Sequence, residues 1–402
     1  MVRVALVLPA LLYADLSLGQ TVWNVPAFAS IQAAIAAASP GDILVLTNAG
    51  GYPDYVGFVL DKGLTIRGNG ARIGGDPSGS IPSSTITINV PAGQVAHLER
   101  LECTYSYSPI GSVGGAKVVV QGGTVRFEQC TILRQNYEDA MTISDANVTV
   151  VDSSIHHIGS LGAARGLVAT NSNVTLRGCS VRGSDDACHP WYGCGVGWSE
   201  AESAAEITSS MLHAEGTTFR GGNHVNAAVA GNGGAALVAT GSRVWLAGCQ
   251  LIGGALGATA LVNNGPSTVE LRQTSLQGGS PSGVPSTGPV DPTAPLLRLE
   301  LAPPWQRGVT TTLTCRGDAN AVFGLCLAPD VTPTTLAFLV EPVWALTGTA
   351  IQVGVLDVAG LATFPVAVPN VASLQHRTVW CQAASGLVFP LRASTIAGGV
   401  IR

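Results

Sequence analysis

The residues best suited to chemistry crowd one stretch of the chain. Asp185, Asp186, Cys188, His189, Trp191, Tyr192, Cys194, Trp198, Glu200, Glu202 and Glu206 lie within 22 consecutive positions, 185–206. Carboxylates at this density can supply the hard oxygen ligands that Ca²⁺ takes, so Ca²⁺ is the one cofactor the stretch suggests. Glycoside hydrolysis needs two carboxylates about 5 to 9.5 Å apart. Adjacent side chains on a strand point to opposite faces, so Asp185 and Asp186 can cooperate only if a turn reorients them. Cys188, His189 and Cys194 lack the spacing and the fourth ligand of a common zinc site, and a disulfide closing this loop is the simpler reading. Trp191, Tyr192 and Trp198 form the densest aromatic group in a chain with only 5% aromatics. Such rings either stack on sugars or cover the apolar side of the loop, and both readings stand. His156-His157 reads as a turn after a strand.

The elements that must position this stretch repeat. An apolar, any, apolar, two polar or small residues, small Cys/Ser/Thr, any, apolar pattern recurs at 125–132, 148–155, 174–181, 212–219, 244–251 and 269–276, with a looser copy from Ala96. Successive starts are 29, 23, 26, 38, 32 and 25 residues apart, the range in which recurring units stack as solenoids. Each unit alternates with period two and is followed by Gly or Asn, which predicts short strands. Strands stacked at about 4.8 Å would line their apolar faces into one core, the arrangement of a parallel β-helix. The sixth position (Cys130, Ser153, Cys179, Thr217, Cys249, Thr274) would form an internal ladder of small side chains. Asn147, Asn173 and Asn263 are expected at turns with left-handed backbone. The longest spacing falls at the carboxylate-rich stretch, and extra length on one repeat maps to a loop on one face.

Composition narrows the function. Charged residues make up 11% and Gly numbers 50, while Lys occurs only at Lys62 and Lys117. The net charge is -5, and without a basic tract nucleic acid is not an expected partner. Residues 1–19 read as a signal peptide: Arg3, an apolar run over 4–13 too short to span a bilayer, then Ser17-Leu18-Gly19. Export, no transmembrane segment after signal removal, and a secreted or cell-surface location are the expectations. Nine cysteines in an exported chain allow disulfides, and the nearest pairs are Cys188 with Cys194 and Cys315 with Cys326. Cys130, Cys179 and Cys249 can equally be buried thiols.

Residues 28–38 carry apolar residues at helical spacing and end at Ser39-Pro40-Gly41, which predicts a helix placed to cap the first coil. Ser30-Ile-Gln-Ala-Ala-Ile35, Ser39-Pro-Gly-Asp42, Ile43 to Leu46 and Leu64-Thr-Ile-Arg-Gly68 resemble the opening of right-handed parallel β-helix proteins of the pectin-lyase-like superfamily. The resemblance covers residues 27 to 75 closely and the repeats to 279 in pattern only; Thr47-Asn-Ala-Gly-Gly-Tyr52 departs from the family's Pro-Gly-Thr-Tyr turn. It implies an all-β, right-handed parallel β-helix over 20–279. It also implies, for a lyase, carboxylates holding Ca²⁺ against a sugar acid and an Arg base, for which Arg165, Arg182 and Arg220 are candidates. Asp185-Asp186 resembles the paired aspartates of polygalacturonase-like hydrolases, but the Asn-Thr-Asp and Gly-His-Gly motifs are absent.

Five prolines between 280 and 295 predict a linker. Beyond it, strand-like runs at 310–315, 322–327, 335–340, 351–356, 361–368, 378–383 and 387–391 predict a small antiparallel β-sandwich-like domain over 296–402, with Asp357-Val-Ala-Gly360 as a hairpin turn. The sequence is therefore read as an exported, non-catalytic protein with a structural or glycan-interacting role and a polysaccharide or cell-surface glycan as its partner. The alternative is a polysaccharide lyase or glycoside hydrolase acting on acidic polysaccharide, with Asp185, Asp186 and Arg165 catalytic and Trp191, Tyr192 and Trp198 holding substrate. An enzyme would gather acids and an arginine in one groove; a structural protein would scatter them.

Overall fold

The computed structural model of the chain describes residues 20–27, 29–48, 54–74, 83–103, 106–108, 111–134, 138–157, 164–185, 201–224, 233–291, 298–301, 305–328, 350–371, 378–387, 391–394 and 397–401. Two compact units divide at Ala294/Pro295. The first is all-β apart from one short helix, and nearly all its strands run parallel in a 16-stranded and a 10-stranded sheet. The expected signal peptide over 1–19 lies outside the described residues.

The strands form three ladders, and each repeat adds one strand to each. The strands Gly123–Glu128, Ala146–Val151, Asn173–Arg177, Met211–Glu215, Arg243–Ala247 and Thr268–Arg272 pair in succession in the first. Thr131–Arg134, Ser154–His157, Ser180–Arg182, Thr218–Arg220, Gln250–Ile252 and Ser275–Gln277 follow in the second. The third runs through Gly111–Val120, Met141–Ser144, Leu167–Thr170, Ala205–Thr208, Leu237–Thr240 and Leu261–Asn264. Val95–Cys103 serves both the first and second ladders, which is where the larger sheet branches. The register places Val125, Val148, Val174, Leu212, Val244 and Val269 over one another, as the sequence repeat requires. Their inward neighbours Phe127, Val150, Leu176, Ala214 and Leu246 are buried in one continuous cluster. This succession of parallel ladders is compatible with a parallel β-helix.

Two corners set the register. Between the first and second ladders a residue with left-handed backbone (Gln129, Asp152, Gly178, Gly216, Gly248, Gln273; φ 46–61°) precedes each small sixth residue. The Cys130 amide donates to Ser153 Oγ (3.0 Å), that of Cys179 to Thr217 Oγ1 (3.3 Å) and that of Cys249 to Thr274 Oγ1 (3.4 Å). The expected internal ladder thus exists, and it ties each repeat to the next. A second ladder was not foreseen. At the corner between the third and first ladders the amides of Ala146, Ser172, Ser210 and Ser242 donate in turn to Oγ of Ser172, Ser210, Ser242 and Ser267 (2.9–3.2 Å).

Several expectations need correction. Asn147 and Asn173 lie in strands, and the left-handed backbone falls on Asp145 and Asn171. Their amides do bond along the stack, Asn173 Nδ2 donating to Asn147 Oδ1 at 2.9 Å. Asn263 is also in a strand, with Nδ2 donating to Pro289 O at 2.6 Å. Most of the expected linker is not a linker: Ser286–Thr287 pairs with Leu261–Asn264, and Asp291 bridges to Glu270. Prolines sit at this last edge because their missing N–H is not needed there.

The helix is Ile31–Ala37, shorter than expected; Phe28 lies outside the described residues. Ser30 Oγ caps it by accepting from the Ala33 amide (3.1 Å). Lys62 Nζ donates to the terminal carbonyls of Ala36 and Ala38. Ile31 and Ile35, one turn apart, are its buried face. Asp42 accepts from the Thr21 and Ser39 amides and from Trp23 Nε1 (2.9–3.0 Å), so these bonds hold its carboxyl below the usual range although burial opposes them.

The C-terminal unit holds an antiparallel sheet of Arg298–Leu301, Thr310–Arg316 and Leu361–Ala367. A second contains Ala350–Val355, Val322–Ala328, Thr378–Gly386, Arg392–Ala393 and Ala397–Val400. One apolar cluster draws on both, including Leu313, Phe323, Phe364 and Cys381. The turn 357–360 is tight, with Asp357 Oδ1 accepting from the Ala359 and Leu361 amides (2.8 Å). Its flanking strands belong to different sheets, so it is not a hairpin. The run 335–340 lies outside the described residues, and 387–391 contains no described strand.

Two substitutions test the stacking, one at the serine corner and one at the exit from the second ladder. Ser210→Ala leaves the buried Ser172 amide without its acceptor and should cost about 1–3 kcal/mol in urea unfolding. A Cβ on Gly254 would lie 1.7 Å from the Gly222 carbonyl oxygen, so Gly254→Ala should cost about 3 kcal/mol or more. Wild-type stability in both would refute the register described above.

Candidate functional site

The loops that join the second ladder to the third bring together the best-placed charged group. Arg165 is clasped by Asp139, whose Oδ1 accepts from Arg165 N (2.9 Å) and Nε (3.0 Å) and whose Oδ2 accepts from Nη2 (3.1 Å). Glu206, on the strand Ala205–Thr208, takes Nη1. Burial pushes the Arg165 pKa down, but the bonds and charges of Asp139 and Glu206 outweigh it and raise it above its ordinary value. Glu202 is pushed up by burial, and by the repulsion of Asp139 and Glu206, against the attraction of Arg165. Arg165 is therefore a fixed cation, each of its three side-chain nitrogens bonded to a carboxylate. A base must release a proton, and this guanidinium is held protonated.

Asp185 is one repeat further along. It pairs with Arg182, and its Oδ1 accepts from the Asn223 amide at 2.8 Å. The Asn223 side chain accepts in turn from the Ala255 amide at 3.1 Å. This chain of bonds carries the loop corner from one repeat to the next. Asp185 and Arg165 thus belong to different ion pairs. Arg220 is exposed at the end of Thr218–Arg220. Asp186, Cys188, Trp191, Tyr192, Cys194, Trp198 and Glu200 lie outside the described residues. His156, in a strand rather than a turn, shares a 2.8 Å hydrogen bond with Ser180 Oγ and is held below its usual pKa by burial and Arg182. Among the described residues no three His, Cys, Asp or Glu side chains are arranged to hold a metal ion.

Sequence reading missed a second charged group, on the face of the first ladder opposite the apolar cluster. Glu99 receives Arg67 (3.2 Å) and Arg100 (3.0 Å), and Glu128 receives Arg126 (3.0 Å) and His97 (3.4 Å). Glu99 and Glu128 are in register on adjacent strands, so like charges would face each other without these partners. Period-two alternation was the available signal: Ala96 and Leu98 enter the core, which leaves His97 and Glu99 on the other face. Further along the first ladder, a groove of about 370 Å³ runs over the corner between the third and first ladders, lined by residues that include Asn171, Asn173, Ser209, Met211 and Arg243. The Arg243 guanidinium lies 4.8 Å from the Trp245 ring centroid, and the His213 ring is 6.2 Å from the same ring. Burial lowers His213 to about 4.

The expected Cys315–Cys326 pair is not formed, and Cys188–Cys194 lies outside the described residues. Cys315 and Cys326 are both free: Cys315 faces the shared core, while Cys326 alternates with buried Phe323, Leu325 and Leu327 and so points to the other face of a different sheet. The ladder thiols are inert, because burial pushes Cys130 to about 12 and Cys179 and Cys249 to about 11. No protein-family model matches the chain, and no curated protein or solved structure matches it.

The Glu128 group sets an acid limit. Burial raises its pKa, but the His97 hydrogen bond and Arg126 overcome this and hold it at about 2. A depressed carboxylate stabilises the fold above its unfolded value of 4.5 and loses that contribution as pH falls toward 2. The contribution is at most about 3 kcal/mol. Burial also lowers His97, so protonation of the unfolded chain below 6.5 acts in the same direction. Urea midpoints should fall steeply from pH 5 to pH 3 in wild type and less steeply in Glu128→Gln. Parallel curves would remove Glu128 from this account.

Proposed function

We propose that the ladders are the faces of a right-handed parallel β-helix of the pectin-lyase-like kind, its first coil capped by Ile31–Ala37, and that the C-terminal unit is a β-sandwich-like module. On this reading the protein is secreted or held at the cell surface, residues 1–19 being its export signal, and it serves as a rigid structural or glycan-interacting element without a cofactor. The closeness of 30–46 and 64–68 to the opening of that superfamily supports the fold, as does the three-strand repeat.

The observation that carries the non-catalytic reading is the state of Arg165. Of the candidate bases it sits in the densest group of acids, yet Asp139 and Glu206 occupy its donors and raise its pKa. Proton abstraction beside a sugar carboxylate needs the reverse. Acids and arginine are gathered here, as in an enzyme, but Arg165 is tied into ion pairs with Asp139 and Glu206. Glycan contact is supported by the groove over the corner, where side-chain amides and hydroxyls adjoin the Arg243–Trp245 pair. Polar groups with one flat ring are what a sugar face requires.

Incubation with polyuronides, with and without Ca²⁺, should give no ultraviolet-absorbing unsaturated product and no new reducing ends. Product that disappears in Arg165→Ala, Asp185→Ala or Asp186→Ala would establish the lyase or hydrolase alternative instead. In affinity gels cast with neutral or acidic polysaccharides, the same chain should be retarded, and Trp245→Ala should weaken that retardation about tenfold, the loss of one stacking contact.

A further inference from the structure

The C-terminal unit exposes an apolar patch. On the strand Ala350–Val355, Val353 is 67% and Val355 61% exposed, and Val358, in the turn that follows, is 84% exposed. Val322, 44% exposed, is the register partner of Val355, and Gly386, the other partner of Val322, leads into Leu387 at 65%. Val322, Val353 and Val355 share one face of this sheet, and Val358 and Leu387 stand where the chain leaves it at the same end. The three adjacent strands Val322–Ala328, Ala350–Val355 and Thr378–Gly386 contain no charged residue. Among the described residues, Ala350–Val355 pairs only with Val322–Ala328, and its other side has no described partner strand and carries no Lys, Pro or bulge of the kind that protects an edge.

We propose that this edge is where a second copy of the chain docks, strand to antiparallel strand, about a two-fold axis at Gly354. Directly opposed residues in an antiparallel pair share a face. Centring the axis on Gly354 therefore sets Val353 against Val355 of the second copy, and Val355 against its Val353, so four valines meet and no charge is buried. The pairing is self-complementary, as a two-fold interface must be. A net charge of -5 makes two copies repel elsewhere, and this uncharged face is the one they can share. The area fits a weak association. Five side chains exposed to this extent offer roughly 300 Å² per copy against the roughly 800 Å² of a stable interface, and the strand pairing supplies part of the rest.

Light scattering behind size exclusion, over a hundredfold range of concentration, should show the full chain rising from 40.9 kDa toward twice that mass. Val353→Glu places like charges across the axis and should hold the chain at monomer mass at every concentration, with an unchanged circular dichroism spectrum. Val309→Glu, at another exposed valine, should dimerise as wild type does. Cysteines introduced as Val353→Cys in one preparation and Val355→Cys in another should cross-link severalfold more when mixed than either does alone. A wild-type chain that stays monomeric throughout, a dimer indifferent to Val353→Glu, or cross-linking no better in the mixture would each overturn the proposal. None of these results depends on glycan binding or on the lyase assay.

Discussion

The constraint on which the rest depends is that parallel strands in strict register place every residue over its counterpart one repeat away. Whatever works at one position must work at that position in every repeat. A left-handed residue followed by a small hydroxyl or thiol meets this demand at the corner. Left-handed backbone is costly for side chains other than Gly, Asn and Asp, yet Gln129 and Gln273 adopt it. The Gln129 amide is satisfied by the Val151 carbonyl of the next repeat at 3.0 Å, and the following residue's amide by the next hydroxyl. The bond to the neighbour offsets the local strain, so each corner is stable only within the stack.

The same rule explains what the sequence made legible. The first two ladders meet at a corner of fixed length, so their strands appear together as one eight-residue pattern whose copies align without gaps. The sixth position stood out because Cys, Ser and Thr alternate where bulk cannot fit. The third ladder was hidden by loops of changing length on its N-terminal side. Its one trace is the sequence Leu-Val-Ala-Thr, which occurs identically at Leu167–Thr170 and Leu237–Thr240. The serine ladder was missed with it, since Ser172, Ser210 and Ser242 are flanked by dissimilar residues. Residue preference alone places Asn147 and Asn173 at turns, whereas strand register keeps them extended two residues past the turn. The prolines of 280–291 read as a linker for the same reason: composition marks a missing N–H, but not whether the carbonyls still pair.

Electrostatics follows from the register as well. Column stacking sets side chains of one type at one strand spacing, so uncompensated charge would repel along the whole axis. The chain keeps charges few and pairs them locally or between repeats: Arg67 to Glu99, Arg126 to Glu128, Arg165 to Asp139 and Glu206. Within the acid-rich stretch that sequence alone offers as an active site, Asp185 and Glu206 obey this rule, pairing with Arg182 and Arg165. Its acids are legible, but Asp139, the other carboxylate on Arg165, is not, because it lies 26 residues before Arg165 and only the parallel register brings the two together.

That register also decides where the fold can vary. At the exit from the second ladder the chain passes so close to its neighbours that Gly222, Gly254 and Gly279 have no room for a Cβ, each with a carbonyl oxygen within 1.7 Å of where it would stand. Backbone bonds from Gly222 to Glu202, Gly234 to Gly222 and Gly254 to Gly234, all 2.9 Å, close this seam. The chain leaves the seam at Ser184 and returns at Glu202, then leaves again at Gly222 and returns at Gly234, so the length between is free while the ends are fixed. Residues 185–201 and 223–233 are inserted at this point, which is how one repeat can carry a dozen extra residues without disturbing the register of the next. Length can vary at those insertions because stability resides in the corners.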